Sequence, residues 1–330
     1  MPRVSSLPRI RMLAMGGTIS SVPTGDTAEV IPSLKAEELI ASVPVLRNIA
    51  EIEWGDVVTI ASFAVTLHDM YTVAGEVLKA FEDGCDGVVV THGTDTIEET
   101  SYALALMVPR GKAVAVTGAM RNPTVPGADG KGNLAAAFMT AARPEAGALG
   151  PVLVLNDEMH AARFATKSHS TRPSTFVSAG SGPIGEVIEE RAYFWFSPTY
   201  EDYLGMPGKL PDATVPLIKV ASEIDDVLLR AAIDQNPPAI VIEGFGGGHV
   251  PVTLLDAIDD AIAEGIDIVT APRVLGGRTL ERTYRMPGAE TDLIDRGVIP
   301  AGHLSGHKAR LRVMIGLALG RDVRSLFPVL

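Results

Sequence analysis

The stretch Gly87-Val88-Val89-Val90-Thr91-His92-Gly93-Thr94-Asp95-Thr96 constrains the fold more than any other part of the chain. Its consecutive valines read as a strand buried on both faces, as in a parallel sheet. Thr96 and Glu99 have the spacing of a capping box, so a helix starts at once. Ile97, Ser101, Leu104 and Val108 then recur at helical spacing, and Pro109 stops the run. His92, Gly93, Thr94 and Asp95 are left in the strand-to-helix turn. In an open α/β sheet such turns line the crevice at the carboxyl ends of the strands, where ligands bind. A hydroxyl beside a carboxylate on a tight turn, Thr94 with Asp95, is a candidate reaction centre.

The rest of the chain repeats that unit. Residues 10–15 read as the first strand, and Gly16-Gly17-Thr18 is a turn directly after it. Residues 20–33 carry Pro23, Gly25, Asp26 and Pro32 and read as a loop of the kind that closes over active sites. Residues 34–43 form a short helix closed by Pro44, and 57–61 a second strand with Ser62 at its end. Met70, Val73, Ala74, Val77, Leu78 and Phe81 make an amphipathic stripe behind Asp69, a good N-cap. After the central strand and helix come a strand at 113–116, the turn Thr117-Gly118-Ala119-Met120-Arg121, a helix of small residues at 133–142, and a strand at 152–155 before Asn156-Asp157. From 156 to 212 periodicity is weak. That stretch holds Lys167, a Ser/Thr-rich loop at 168–178, and the aromatic cluster Tyr193-Phe194-Trp195-Phe196, which reads as core or subunit contact.

Pro198, Gly205, Pro207, Gly208 and Pro211 mark a boundary. The expected division is an N-terminal α/β catalytic domain at 1–198, a linker at 199–214 and a C-terminal α/β domain at 215–330. In the second domain 217–220, 239–242 and 266–269 read as strands, and 223–234, 253–263 and 308–319 as helices, with Gly320 as the last helix's C-cap. Strand and helix alternate throughout. The fold class is therefore α/β, with a larger, doubly wound, largely parallel N-terminal sheet and a smaller C-terminal α/β domain.

Composition excludes several function classes. A net charge of −12 argues against a nucleic-acid surface, which needs clustered Lys and Arg, and gives no reason to expect anionic membranes. No apolar run reaches the roughly 18 residues of a transmembrane helix. The single cysteine, Cys85, rules out an intramolecular disulfide. Arg9 and Arg11 before a short apolar stretch make a poor signal peptide and a good first strand, so the cytoplasm is the expected location.

Three strands end in polar turns: Gly16-Gly17-Thr18, Ser62 and Gly93-Thr94-Asp95. As parallel neighbours they would meet at one sheet edge, where glycine N–H groups can form an oxyanion nest. A threonine hydroxyl is a weak nucleophile and needs a base. A lysine serves only if burial or neighbouring charge favours its neutral form. Alone, each piece has an ordinary reading: a Gly-Gly-Thr turn, a Thr94–Asp95 helix cap, a solvated Lys167, a strand-end Ser62. His92 reads as a hydrogen-bonded turn residue, since no second His or Cys lies at ligand spacing. Gly244-Phe245-Gly246-Gly247-Gly248-His249 lacks the glycine spacing and following Lys of a phosphate loop.

Together the pieces resemble the bacterial-type L-asparaginase family. Ala14-Met15-Gly16-Gly17-Thr18-Ile19 resembles its first signature, and Thr91-His92-Gly93-Thr94-Asp95-Thr96-Ile97-Glu98-Glu99-Thr100 its second. Gly118-Ala119-Met120-Arg121, Asn156-Asp157, Ala165-Thr166-Lys167, Glu281-Arg282-Thr283-Tyr284, Gly302 and Lys308-Ala309-Arg310 follow in the family's order. The resemblance implies hydrolysis of L-asparagine to L-aspartate and ammonia. It implies Thr18 as nucleophile, with Thr94, Lys167 and Asp95 as a second catalytic group. It places the substrate α-ammonium on Asp95 and the α-carboxylate on Ser62. No metal or organic cofactor is implied. The family forms homotetramers or dimers with sites closed by a neighbour's C-terminal domain, to which Glu290 and His249 would belong. The chain departs from the family at Met15, at Phe63 after Ser62, and in a 20–33 segment without tyrosine, where Glu29 is the nearest ionisable group.

Two other readings have distinct signatures. A related amidohydrolase acting on glutamine, a D-amino-acid amide or a peptidyl amide would use the same machinery, and Phe63 motivates it. A non-catalytic amino-acid or nucleotide-binding α/β module would be stabilised by ligand without turnover. Such a module needs neither Thr94 beside Asp95 nor a distant lysine.

Overall fold

A computed structural model describes residues 7–23 and 30–327. Of the loop reading at 20–33, residues 24–29, Glu29 included, lie outside the described residues; on either side of them Ser21–Pro23 pairs antiparallel with Val30–Pro32, so the described flanks form a short ribbon instead of open loop. The chain divides into two compact units, Met1–Met206 and Pro207–Leu330.

In the first unit the strands are β1 (Arg9–Gly16), β2 (Ser21–Pro23), β3 (Val30–Pro32), β4 (Glu51–Ile60), β5 (Gly87–Thr91), β6 (Ala113–Thr117), β7 (Val152–Leu155), β8 (Glu158–Ala161), β9 (Ala165–Lys167), β10 (Phe176–Ser178), β11 (Gly185–Ile188) and β12 (Arg191–Phe194). The helices are α1 (Ala36–Ala41), α2 (Leu67–Glu82), α3 (Ile97–Met107) and α4 (Gly130–Ala141). One 8-stranded sheet runs β12-β11-β8-β7-β6-β5-β1-β4. The pairs from β4 through β1, β5 and β6 to β7 are parallel, as buried valine-rich strands followed by helices require. Every residue of β5 and of β6 is buried.

The sheet is then extended by antiparallel strands. β7 turns into β8, β8 pairs with β11, and β11 with β12. This is the stretch that shows weak periodicity in sequence, because its strands are only three or four residues long, too short to display an alternation. The aromatic cluster is not core: Phe194 packs against it, but Tyr193, Trp195 and Phe196 are exposed. The β7–β8 turn holds Asn156 and Asp157 at positive φ, a conformation these two residue types tolerate well.

Two helix starts differ from the sequence reading. The N-cap of α2 is Thr66, not Asp69: Thr66 Oγ1 accepts from the Asp69 N–H at 3.3 Å, and Asp69 returns a bond from the Thr66 N–H at 2.8 Å. Thr66 was hidden because the apolar stripe becomes regular only at Met70. At α3 the Thr96 side chain makes no cap bond; its hydroxyl donates to the Ser62 carbonyl at 2.7 Å. The expected cap is instead a tie between two site turns.

Near its end the first unit is held by a buried pair. Arg163 donates to Asp202 at 2.6 and 3.1 Å, Tyr102 adds a bond to the same carboxylate at 3.1 Å, and the guanidinium stacks on Tyr200.

In the second unit β13 (Leu217–Lys219), β14 (Ala239–Gly244), β15 (Asp267–Pro272) and β16 (Ile299–Pro300) form a parallel sheet in that order. Its helices are α5 (Val227–Ile233), α6 (Leu255–Ala263), α7 (Glu290–Arg296) and α8 (Gly306–Ala318). Gly320 follows α8 with φ of 69°, the left-handed position its sequence context calls for. Among the described residues no helix is long and apolar enough to cross a membrane.

Candidate active site

β1 lies between β4 and β5, and all three run parallel, so their carboxyl ends emerge side by side. The turns after them are in backbone contact. Gly17, at φ 86°, lies so close to Gly93 that a Cβ would fall on the Gly93 N and Cα atoms. A Cβ on Gly93 would stand 2.7 Å from the Ser62 side chain. Glycine is required at both positions by this close approach. The three polar turns expected from sequence therefore form one rim.

Thr18 opens a short 3-10 turn, Thr18–Ser20, and is half-buried. The Ser20 and Ser21 hydroxyls both donate to the Gly17 carbonyl at 2.9 Å, which fixes the peptide entering Thr18. Ser62 is buried at the end of β4. Its Oγ accepts from the Asp95 N–H at 3.1 Å and lies 3.3 Å from an Asp95 carboxylate oxygen.

Lys167 arrives from β9, whose partner β10 sets Lys167 opposite Phe176. Its Nζ donates to Thr94 Oγ1 at 3.0 Å and to Asp95 at 2.7 Å. Its side chain is 16% exposed, so it is no solvated surface lysine, whereas the Asp95 side chain is 54% exposed. Because Nζ donates into Thr94 Oγ1, the Thr94 proton is directed elsewhere and can serve a third group. The open side of the Asp95 carboxylate is available to a cation. The structure thus brings Ser62, Thr94, Asp95 and Lys167 into one bonded group, with the Thr18 turn packed beside it.

Three supporting residues escape a sequence reading. Glu98, buried in the first turn of α3, accepts from the Lys167 backbone N–H at 3.2 Å and so sets where β9 enters. An acid in a first helical turn otherwise reads as a solvated group facing the dipole. Asp129 accepts from the Met120 and Arg121 N–H groups, both at 2.9 Å. Asn133 donates to the Gly118 carbonyl at 3.0 Å and accepts from the Asn156 N–H at 2.9 Å. Asp129 stands at the N-cap of α4, which starts at Gly130 and not at Asn133, because Gly130 and Gly132 in its first turn break the helical pattern.

His92 lies wholly buried beneath the Gly93–Thr94 turn. Its Nδ1 is 2.7 Å from the Gly93 carbonyl, which can only accept, so Nδ1 carries the proton and Nε2 accepts from Thr100 at 2.8 Å. Burial pushes its pKa down to about 4, against smaller raising effects of the Gly93 carbonyl and Asp69. The buried His160 is likewise pushed down to about 4 by burial. A base with a depressed folded pKa stabilises the fold fully above pH 6.5 and loses that stability as pH falls toward 4. Each histidine is worth about 3 kcal/mol across the window. The His92→Gln variant is expected to show about half the wild-type loss in urea-unfolding free energy between pH 6.5 and 4, read against each protein's own value at pH 7.

In the second unit Glu290 gathers the Thr283 and Tyr284 N–H groups at 2.7 and 2.6 Å and the His249 ring at 2.9 Å. Burial would raise its carboxyl, but these donors outweigh it and hold it below the usual carboxylate range. Among the described residues no group of three or more His, Cys, Asp or Glu is placed to hold a metal.

The chain matches the asparaginase N-terminal domain model over residues 9–199 and the glutaminase/asparaginase C-terminal domain model over residues 214–327. The chain belongs to the asparaginase family. It is 31% identical to L-asparaginase 2 of Escherichia coli over 97% of this chain and 92% of that protein. It is 30% identical to an L-asparaginase of Bacillus licheniformis over 94% and 95% of the respective lengths. A crystal structure of a probable cytoplasmic L-asparaginase from Campylobacter jejuni superposes with a TM-score of 0.87 at 28% identity, covering 97% of this chain and 99% of that one. With this family membership the protein is an asparaginase-type amidohydrolase acting on a small amino-acid amide.

Proposed function

We propose that the protein hydrolyses the side-chain amide of L-asparagine with Thr18 as nucleophile and Thr94, Lys167 and Asp95 as the proton-handling group. The observation that carries this reading is Lys167 Nζ bonded at once to Thr94 and Asp95, on the rim packed against the Thr18 turn. Thr18 Oγ1 attacks the amide carbon, and the carbonyl π pair moves onto oxygen. N–H groups of the glycine turn stabilise that oxyanion, at about 3–4 kcal/mol per donor in a well-studied protease. The Thr94–Lys167 pair relays the Thr18 proton to the departing nitrogen, and ammonia leaves. Water then adds to the aspartyl ester and releases aspartate and the Thr18 hydroxyl. Asp95 holds the substrate ammonium on its open face, and Ser62 orients both Asp95 and the substrate carboxylate.

Purified protein with L-asparagine should release ammonia and aspartate in equal amounts; absence of release from properly folded protein would sink the proposal. Phe63 bears on which amide is preferred. It is 79% exposed beside Ser62, where the family resemblance implies a polar side chain against the substrate carboxylate. Phe63→Gln is expected to lower KM for asparagine roughly tenfold with kcat unchanged, the scale of one hydrogen bond to a charged group. Rates on asparagine, glutamine and short amides, measured side by side, check this and separate asparaginase from the related amidohydrolases. The exposed Tyr193, Trp195 and Phe196 support a homo-oligomer, dimer or tetramer, in which Glu290 and His249 contribute to a neighbour's site; light scattering of the purified protein tests it. The cytoplasm is the proposed location.

A further inference from the structure

We propose that the first unit carries a second small-molecule site, for an amphiphilic anion with an apolar body of about eight carbons. A cavity of about 260 Å³ lies behind the Thr18 turn, floored by Ile19, Val22, Leu39 and Leu134 and bordered by Arg121 and Lys131. The hollow is partly open to solvent, so a ligand can enter it. An aliphatic cavity of about 150 Å³ takes up benzene, which makes this one large enough for an eight-carbon chain or a substituted ring.

The charges at the cavity choose the ligand's head. Neither Arg121 nor Lys131 has a carboxylate partner among the described residues; Arg121 donates from one guanidinium nitrogen to the Gly127 carbonyl at 2.9 Å. The neighbouring Asp129 carboxylate is engaged by the Met120 and Arg121 N–H groups and by Asn133. Among the described residues none that lines the cavity is acidic. In a chain of net charge −12, two cations with no carboxylate partner among the described residues, beside an apolar hollow, make a local field that favours an anion. An apolar body then gains from leaving water, while the head stays at the cations. The site shares no residue with Thr18, Ser62, Thr94, Asp95 or Lys167. Its contact with the turn that bears Thr18 runs through Ile19.

Titration calorimetry on the full chain with octanoate, octan-1-ol and octylammonium tests the site. Octanoate is expected to bind with a Kd below about 1 mM, with octan-1-ol at least about tenfold weaker and octylammonium weaker still. Lys131→Glu should weaken octanoate at least about tenfold. Lys209→Glu makes the same charge change in the other unit and should leave the octanoate Kd within about twofold. Equal affinity for the three head groups, no saturable octanoate binding up to about 10 mM, or an unchanged Kd in Lys131→Glu would each overturn the proposal. Ligand-dependent rise of Tm in wild type but not in Lys131→Glu is the accompanying readout.

Discussion

Thr18→Ala is expected to lower ammonia release from asparagine by at least about 10⁴-fold, with the unfolding midpoint unchanged. The reason is chemical. Among the described residues the Thr18 hydroxyl makes no hydrogen bond, so its removal leaves no buried partner unsatisfied and reports on reaction alone. Lys167→Met should cost about 10²–10⁴-fold, the range of one general acid–base group. Thr94→Val should fall in the same range, and the double variant should be no slower than the slower single one, because the two act as one unit. Stopped-flow measurement of ammonia adds a stronger criterion. If Thr94 and Lys167 are also needed for deacylation, Thr94→Val gives one equivalent of ammonia and then stalls. Thr18→Ala gives no such burst. Full rate in Thr18→Ala together with a dead Thr94→Val would exchange the two roles.

Gly17→Ala is expected to destabilise the first unit by at least about 3 kcal/mol and to abolish activity at the same time. Two costs add at this position. An L-residue at φ 86° and ψ −177°, a region essentially reserved for glycine, costs about 1–3 kcal/mol by itself. The new methyl group would also overlap the Gly93 backbone and the His92 carbonyl carbon, so one turn must move. Either movement separates Thr18 from Thr94. Gly265→Ala is the control: its φ is 83°, but open space surrounds it. That variant should lose only about 1 kcal/mol, and urea unfolding distinguishes the two cases.

Where a residue's neighbours along the chain determine its role, the sequence was readable. Val88–Val90, followed by Thr96 and the stripe from Ile97 to Leu104, contains a buried strand, a turn and a helix within its own periodicity. The order of such units fixed the parallel sheet, and the polar ends of three strands marked the rim. Partners distant in sequence were not readable. Nothing near Thr96 indicates that its hydroxyl bonds to the Ser62 carbonyl rather than capping α3. Nothing near Glu98 indicates that it holds the backbone of Lys167, 69 positions away. The strands β8 to β12 were lost for another reason: each is stabilised by its neighbour in an antiparallel ribbon, and three or four residues carry too little pattern to show it. Lys167 is tied to the site only by the family resemblance, since a single lysine in a Ser/Thr-rich stretch has no local signature.

The order of the strands also has a kinetic consequence. Thr18, Ser62 and Thr94 stand on adjoining parallel strands, but Lys167 belongs to a hairpin that comes much later in the chain. A nascent chain ending before β9 already contains the three turns yet lacks the amine that joins Thr94 to Asp95. Competence for proton transfer is therefore a late event in synthesis and in refolding alike. Far-ultraviolet circular dichroism should recover first, and the regain of turnover should lag behind it, because the closing contact joins residues 73 positions apart and needs the last-made segment of the site.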